Sequence, residues 1–409
     1  MQKKALVFAV SAALMIPCAF AQKKGGGGDK EDADPDQIVE LYGKLYPELV
    51  RQRGKDATPA GSPTATFAGP AQGGNAVISR QEMESSNSRF GVRGSEKLGG
   101  GLRAIFQLET EFHVDSNDSR FAQRDSFVGL THAGWGTIKL GRMDTPFKGY
   151  ADDISFLGVS SGNFVSTSEI NRNLPFGTSN AGRFHERAQN AVDYETPKWG
   201  GFQGEIQYST AETDNAFRKP HFWSGGVKWE GGPFEIAFGH EVHWDSLALT
   251  ANVPSAMRNT EAATRSKDKA YEVMVKFKWG IHQFEIDGNR KEWKESPVVA
   301  TTGRALEYKN SSYLFIWEQR WSNTWRTQIH YLTSSDGSCK RQNADCSTDG
   351  LGGKQISAGV AYYFSKRTYL FLLAQWLKND HSANFASGSQ QGNIGEDITQ
   401  YAVGIHHSF

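Results

Sequence analysis

Three groups of side chains in this 409-residue chain have the types and spacing that chemistry would need. His240-Glu241-Val242-His243 has the composition of a zinc-hydrolase motif, but that motif needs both imidazoles on one helical face. On a strand, residues three apart face opposite ways, so a polar strand histidine is the better reading. Asp115-Ser116-Asn117-Asp118 has the oxygen donors of a calcium loop, yet short runs of this composition are commonly solvated turns. The third group is ionic: Asp144, Asp152, Asp153 and Glu169 share one long polar stretch, and Arg89, Arg93, Arg124 and Arg187 lie before and after it. On composition alone these are solvated charges. The Gly-x-Ser-x-Gly match at Gly158-Val159-Ser160-Ser161-Gly162 falls within the long polar stretch rather than on a strand-to-helix elbow, no metal ligand set assembles, and neither an enzyme nor a cofactor is expected.

The elements that must carry these residues are strands. Phe90 and Val92 alternate with Arg89, Gly91 and Arg93, and Leu102, Ala104, Phe106 and Leu108 alternate with Arg103, Gln107 and Glu109. The same period of two runs through 202–210, through 270–279 and through Ile356, Ala358, Val360, Tyr362 and Phe364. Each strand has one apolar and one polar face. Arg89 and Arg187 fall on the polar face, out of phase with Phe90/Val92 and Val192/Tyr194. The phase of Ile138 and Leu140 aims Arg142 at the apolar side unless the strand ends or bulges there. Glu205, Glu235 and Glu272 are on the polar face too.

Lys3 and Lys4 precede an apolar run from Ala5 to Ile16, and Ala19-Phe20-Ala21 offers small residues for a peptidase, so residues 1–21 read as a cleaved secretory signal. Residues 22–37, with four consecutive glycines and an acidic cluster, read as a flexible periplasmic linker, and 38–409 as one β-domain. Removing the signal takes two of the 45 basic residues and none of the 45 acidic ones, which leaves a nearly neutral chain without the clustered basic surface that nucleic acid requires. Mean hydropathy is −0.54, and no apolar run beyond the signal has the ~18 residues of a spanning helix. A transmembrane barrel stays open, because it shows lipid only alternate residues. Cys339 and Cys346 stand in a polar segment, and in an exported protein such a lone pair reads as a loop disulfide.

Seven short turns near 97–100, 132–135, 197–201, 231–233, 280–281, 322–324 and 365–367 alternate with eight long polar segments near 50–86, 113–120, 143–186, 211–220, 245–267, 295–306, 334–353 and 379–397. That arrangement gives an all-β, antiparallel transmembrane barrel of sixteen strands, with short periplasmic turns and long extracellular loops. Trp135, Trp199, Trp229, Trp279, Trp321, Trp325, Tyr363 and Phe364 flank the short side, where an interfacial aromatic belt belongs. The last strand presents Tyr401, Val403, Ile405, His407 and the terminal Phe409 on one face, the form of a closing barrel strand.

The chain resembles the trimeric sixteen-stranded Gram-negative general porins, the neisserial branch in particular. The resemblance is carried by Leu41-Tyr42-Gly43, by 88–96 (Ser-Arg-Phe-Gly-Val-Arg-Gly-Ser-Glu), by 101–109, by Phe127-Val128-Gly129-Leu130, by 136–142, by 187–194, by Ser365-Lys366-Arg367-Thr368 and by 403–409. Lys44 and Pro47 depart from it, standing where an acidic residue is common. It implies a homotrimer in outer-membrane lipid and lipopolysaccharide, assembled by the barrel-assembly machinery through the Tyr401 to Phe409 face. It also implies that the third outer loop, at 143–186, folds into the lumen. The constriction would then lie between Asp144, Asp152, Asp153 and Glu169 of that loop and Arg89, Arg93, Arg124 and Arg187 of the wall. Opposed charges would set a transverse field that favours small polar solutes and ions. The rival expectation is a surface-binding or adhesin barrel, whose long loops engage other proteins; a barrel enzyme ranks below it.

Overall fold

The structure is a computed structural model that describes residues 39–85, 88–116, 121–151, 154, 167–178, 181–184, 186–211, 215–388 and 390–409. The signal, the linker, Asp152 and Asp153 lie outside the described residues, as do Asn117 and Asp118. Sixteen antiparallel strands close into one barrel. They are β1 (Val39–Leu45 and Glu48–Lys55), β2 (Arg80–Glu84 and Arg89–Gly99), β3 (Leu102–Glu111), β4 (Ser126–His132), β5 (Gly136–Asp144), β6 (Arg187–Glu195), β7 (Phe202–Thr210) and β8 (His221–Gly231). Then follow β9 (Phe234–Trp244), β10 (Arg265–Trp279), β11 (His282–Ser296), β12 (Ala305–Arg320), β13 (Trp325–Ser334, continued by Ser338–Arg341), β14 (Gly353–Tyr363), β15 (Thr368–Asn379) and β16 (Asp397–Ser408). Three short helices lie in the loops: α1 (Pro146–Gly149), α2 (Ser168–Arg172) and α3 (Ala248–Asn252). None is long and apolar enough to cross a membrane.

The strands follow from the alternation. Outward residues such as Leu49, Val128, Ile286 and Leu372 are exposed, while the residues between them are polar and buried inside the barrel, among them Gln52, Gln207, Ser224, Asp287 and Gln375. That inverts a soluble protein and fits a wall between lipid and water. β1 breaks at Tyr46-Pro47 because Pro47 has no N–H to give the ladder. Its carbonyl still accepts from Ile405 N at 3.2 Å, and Tyr46 N donates to Ser88 Oγ at 2.8 Å. Closure is between the ends: β16 pairs with both halves of β1, and Gly43 and Phe409 exchange backbone hydrogen bonds of 3.1 Å each. A Cβ on Gly43 would stand 2.6 Å from the Phe409 ring, which is why the position takes glycine.

Two boundaries differ from expectation. The first outer loop is 56–79 rather than 50–86, since β1 runs to Lys55 and β2 starts at Arg80. Arg51, Arg53 and Lys55 face outward there, so both faces of this stretch read as polar in sequence. Ser338–Arg341, within the expected 334–353 loop, is paired with the outer end of β12. A third correction concerns the aromatic belt: Trp135, Trp199, Trp279, Trp321, Trp325 and Phe364 are exposed, but Tyr363 turns into the lumen and packs with Tyr46 and Phe371.

The outer half of the lumen holds an apolar core. Phe67 of the first loop, Phe147, Leu174, Phe176 and Phe184 of the third, Leu249 of α3 and Leu351 pack on Trp293 and Tyr308 of the wall. Cys339 and Cys346 border this cluster and form a disulfide with a Cα–Cα distance of 5.8 Å.

Candidate functional site: the lumen and its third loop

The third loop enters the barrel and is fixed to one side of it. Thr145 caps α1 by accepting from Lys148 N at 3.3 Å, and Phe147 N donates to Ser224 Oγ of β8 at 3.1 Å. Farther along, Ile154 N donates to Glu285 of β11 at 2.9 Å, and Gln328 of β13 donates to Ile154 O at 2.9 Å. α2 is held through its carbonyls: Lys291 Nζ donates to Asn171 O at 2.8 Å, and Asn289 Nδ2 to the same oxygen at 2.9 Å. The fully buried Arg172 pairs with Glu272 at 3.0 Å. The loop therefore lies along β8–β13, and the acids beneath it are engaged in seating it. Inward Glu235 is likewise taken up by Lys228 and Lys276, and Glu205 by Lys139.

Across from it, β1–β6 carry a cationic wall. Arg89 and Arg124 both address Glu109, Arg89 at 3.7 Å and Arg124 in a closer charge-assisted bond. Tyr42 donates to the same carboxylate at 3.0 Å. Arg93, two inward positions lower, forms a two-point bridge with Glu40 at 2.6 and 3.0 Å and lies over the Tyr42 ring. Arg187 reaches Asp125 at 2.7 Å and Asp144 at 2.8 Å, and Lys148 shares Asp144 at 2.8 Å. Burial pushes the Lys148 amine below its usual range; Asp144 counters this, while Arg187 and Arg124 add to it. With Lys44, buried beside Arg89, and Lys148, contributed by α1 of the loop, six cations meet Glu40, Glu109, Asp125 and Asp144 in this cluster.

The four arginines are thus brought onto one wall, in two linked groups. Asp144 is not across the lumen from them: β5 ends on it, and it is the counter-ion of Arg187. Glu169 sits on α2 at the opposite side, accepts from Asn173 Nδ2 at 3.2 Å and lines a cavity of about 190 Å³ with Asn384, Phe385 and Gln391 of the last loop. Burial raises its carboxyl pKa. Lys148, Glu40, Glu109 and Asp125 were not singled out in the sequence, and Lys44 stood out there only as a departure from the porin pattern. Glu109 was findable, because it lies on the inward phase opposite Leu108; Asp125 and Lys148 lie in loops, where phase gives no signal.

Arg142 is accommodated by a bulge. The β5–β6 register shifts between Gly141 and Met143, and the guanidinium donates to Gln123 O at 2.7 Å. The rejected zinc motif behaves as strand residues do: His240 Nδ1 contacts Ala270 O, whereas His243 pairs with Glu241 at 2.8 Å. Among the described residues no cluster of three metal-binding side chains occurs, and Asp115 accepts from the Ser85 hydroxyl at 2.7 Å.

Comparison with known proteins agrees with this architecture. The sequence model of the Gram-negative porins matches residues 9–382. The major outer membrane protein P.IB of Neisseria lactamica is 22% identical over 339 residues, covering 81% of this chain and 86% of that protein. Among solved structures, the anion-selective porin from Comamonas acidovorans superposes with a TM-score of 0.68 at 22% identity, covering 91% of this chain and all of the other. OmpT of Vibrio cholerae, in its trimer form, superposes with a TM-score of 0.59 at 13% identity, covering 91% of this chain and 99% of the other. A closed sixteen-stranded wall apolar outside and polar inside, a loop folded into its lumen and a family match over most of the sequence have one meaning: the chain belongs to the Gram-negative porins, and is an outer-membrane channel for passive diffusion of small hydrophilic solutes.

Proposed function

We propose that the narrowest passage runs between the third loop and the wall of Arg89, Arg93, Arg124 and Arg187, and that it mildly prefers anions. The observation that carries this is the asymmetry of the lumen. Acids on β9–β11 are buried under the loop or paired, whereas the cluster of Arg89, Arg93, Arg124, Arg187, Lys44 and Lys148 outnumbers Glu40, Glu109, Asp125 and Asp144, the carboxylates it engages. A surplus of fixed positive charge in a narrow aqueous passage raises the local anion concentration. The Comamonas neighbour is described as anion-selective, which supports the same reading. Asp152 and Asp153 belong to the loop as further acids of the constriction, and Asp144 and Glu169 moderate the field from either side.

The test is the reversal potential of the purified trimer in a planar bilayer under a salt gradient. Arg187→Glu places a third carboxylate beside Asp125 and Asp144 and should move selectivity towards cations. Arg124→Gln, which removes one charge without adding another, should move it less and in the same direction. Both shifts should shrink as salt rises, because the Debye length falls from ~10 Å at 0.1 M to ~3 Å at 1 M. Unchanged reversal potentials at low salt in folded trimers would remove these arginines from the pore.

The rest of the reading follows the family. The chain works without a cofactor and catalyses nothing; it is exported by cleavage after Ala21, and residues 22–37 are a linker on the periplasmic side. It assembles as a homotrimer, the form in which OmpT is described. The outward face of Tyr401, Val403, Ile405, His407 and Phe409, exposed in the closed barrel, is the face read by the barrel-assembly machinery. Lipopolysaccharide has a fitting partner surface: Arg51, Arg53, Lys55, Arg265, Lys267, Lys294, Lys354 and Lys378 all project outward near the outer ends of β1, β10, β11, β14 and β15. Phosphate groups in the outer leaflet would meet that basic arc.

A further inference from the structure

The inner wall at the periplasmic mouth carries an aromatic group of its own, separate from the apolar core of the outer half. Tyr46 of β1, Tyr363 of β14, Tyr369 and Phe371 of β15 and His406 of β16 all face inward and touch in sequence. Tyr46 stacks on Phe371 at 4.5 Å, Tyr369 on His406 at 4.4 Å, and Tyr363 meets Tyr369 at 4.6 Å. Tyr46 and Phe371 are buried as a base layer, while Tyr363 and Tyr369 stay part-exposed on the lumen side. The Arg326 guanidinium lies over the Tyr363 ring, 5.0 Å from its centre. Its nearest carboxylate is Glu318 at 3.7 Å, and that group is already engaged by Arg320 at 2.9 Å and Gln283 at 3.2 Å. Among the described residues Arg326 donates no hydrogen bond. Glu48, the other carboxylate beside this cluster, is buried.

We propose that this aromatic shelf with its underused guanidinium is a binding step for small planar aromatic carboxylates passing through the channel. His406, Tyr369, Tyr363 and Arg326 stand side by side on neighbouring strands and cover one another's faces, so a flat ligand ring meets the lumen-side edges of Tyr363 and Tyr369, an edge-to-face contact that also removes apolar surface from water. Its carboxylate meets the planar fork of Arg326, with Arg320 beside it, in the geometry guanidinium groups favour. Each half of the ligand is needed. An aliphatic carboxylate has the anion without the aromatic contact, a neutral ring has the aromatic contact without the anion, and an amine meets two like charges.

The inference rests on the chain acting as a channel, and one experiment separates the two. Chloride current through the purified full-length trimer is recorded in a planar bilayer while benzoate, cyclohexanecarboxylate or acetate is titrated. Benzoate should reduce the current saturably, with a half-blocking concentration about tenfold below that of either comparison acid, the equivalent of ~1.4 kcal/mol. Replacing the two rings together (Tyr363→Leu with Tyr369→Leu), or Arg326→Gln alone, should raise the benzoate half-block about tenfold. Tyr363→Phe should leave it in place. Equal block by all three acids, or block unchanged in both the double-leucine and the Arg326→Gln channels, overturns the shelf. Absence of chloride current altogether would overturn the channel reading instead.

Discussion

At the scale of single residues, the lumen is governed by which charges have found partners. Arg172 and Glu272 are fully buried and matched, and serve to seat α2. Glu169, on the same helix, accepts from the Asn173 amide, and burial raises its pKa above the ordinary glutamate value although Asn173 and Arg183 pull it down. A carboxyl whose pKa is raised on folding binds its proton more tightly in the folded state. Its ionised form therefore weighs against folding at neutral pH, and that penalty disappears as pH falls below the unfolded pKa. Glu169→Gln should accordingly raise the thermal unfolding midpoint at pH 8 and leave it unchanged near pH 3. A variant no more stable at pH 8 than the wild type would show that the carboxylate is better solvated than its surroundings imply. The sequence marked Glu169 as one acid among four of a polar loop. It had no means of showing that Asp144 neutralises Arg187 on the same wall, because the pairing depends on where β5 stops and its bulge falls.

At the scale of elements, the strands were legible because each residue on them answers to either lipid or water. The seven short turns fall where expected, and β16 presents Tyr401, Val403, Ile405, His407 and Phe409 outward as its alternation requires. The failures come where that two-sided contrast vanishes. The outer half of β1 is polar on both faces, since Arg51, Arg53 and Lys55 project at its outer end, and it read as loop. Tyr363 read as belt because an aromatic beside a turn fits either phase, and only its pairing with Tyr369 and Ala361's neighbours decides. The last strand also carries a prediction. Phe409 contributes two backbone bonds to Gly43 and a ring over it, so deleting Phe409 removes the final closing pair of the barrel. Yield of folded trimer in the outer membrane should drop severalfold while the signal is still cleaved after Ala21. Wild-type trimer yield from the deletion would refute a role for this residue in insertion.

At the scale of the whole molecule, loops that periodicity could only classify as polar and long turn out to share one apolar core. Phe67, Phe147, Phe176, Phe184, Trp293 and Tyr308 come from two loops and two strands far apart in sequence, and no local pattern announces their meeting. The Cys339–Cys346 bond lies at the edge of that core and away from the arginine wall. By loop-closure entropy it stabilises its short loop by ~2–3 kcal/mol. Cys339→Ser should leave conductance nearly unchanged while making the 335–352 segment more readily cut by added protease. Two free thiols in the unreduced, denatured wild type would refute the pairing, and a large conductance change would place this loop in the conduction path.

The third loop hangs mainly from β8–β13 through groups that are out of reach of solvent, and the arginine wall meets it chiefly at its start, where Lys148 pairs with Asp144. Substitutions on that wall away from Asp144 leave those buried anchors untouched. Two tasks that share one lumen are thereby separated in space, with one arc of the barrel seating the loop and the other presenting charge to the solute. A lineage that met a new mixture of solutes would need to alter only a few inward positions of β1–β6, and engineers seeking a different ion preference have the same few positions to change.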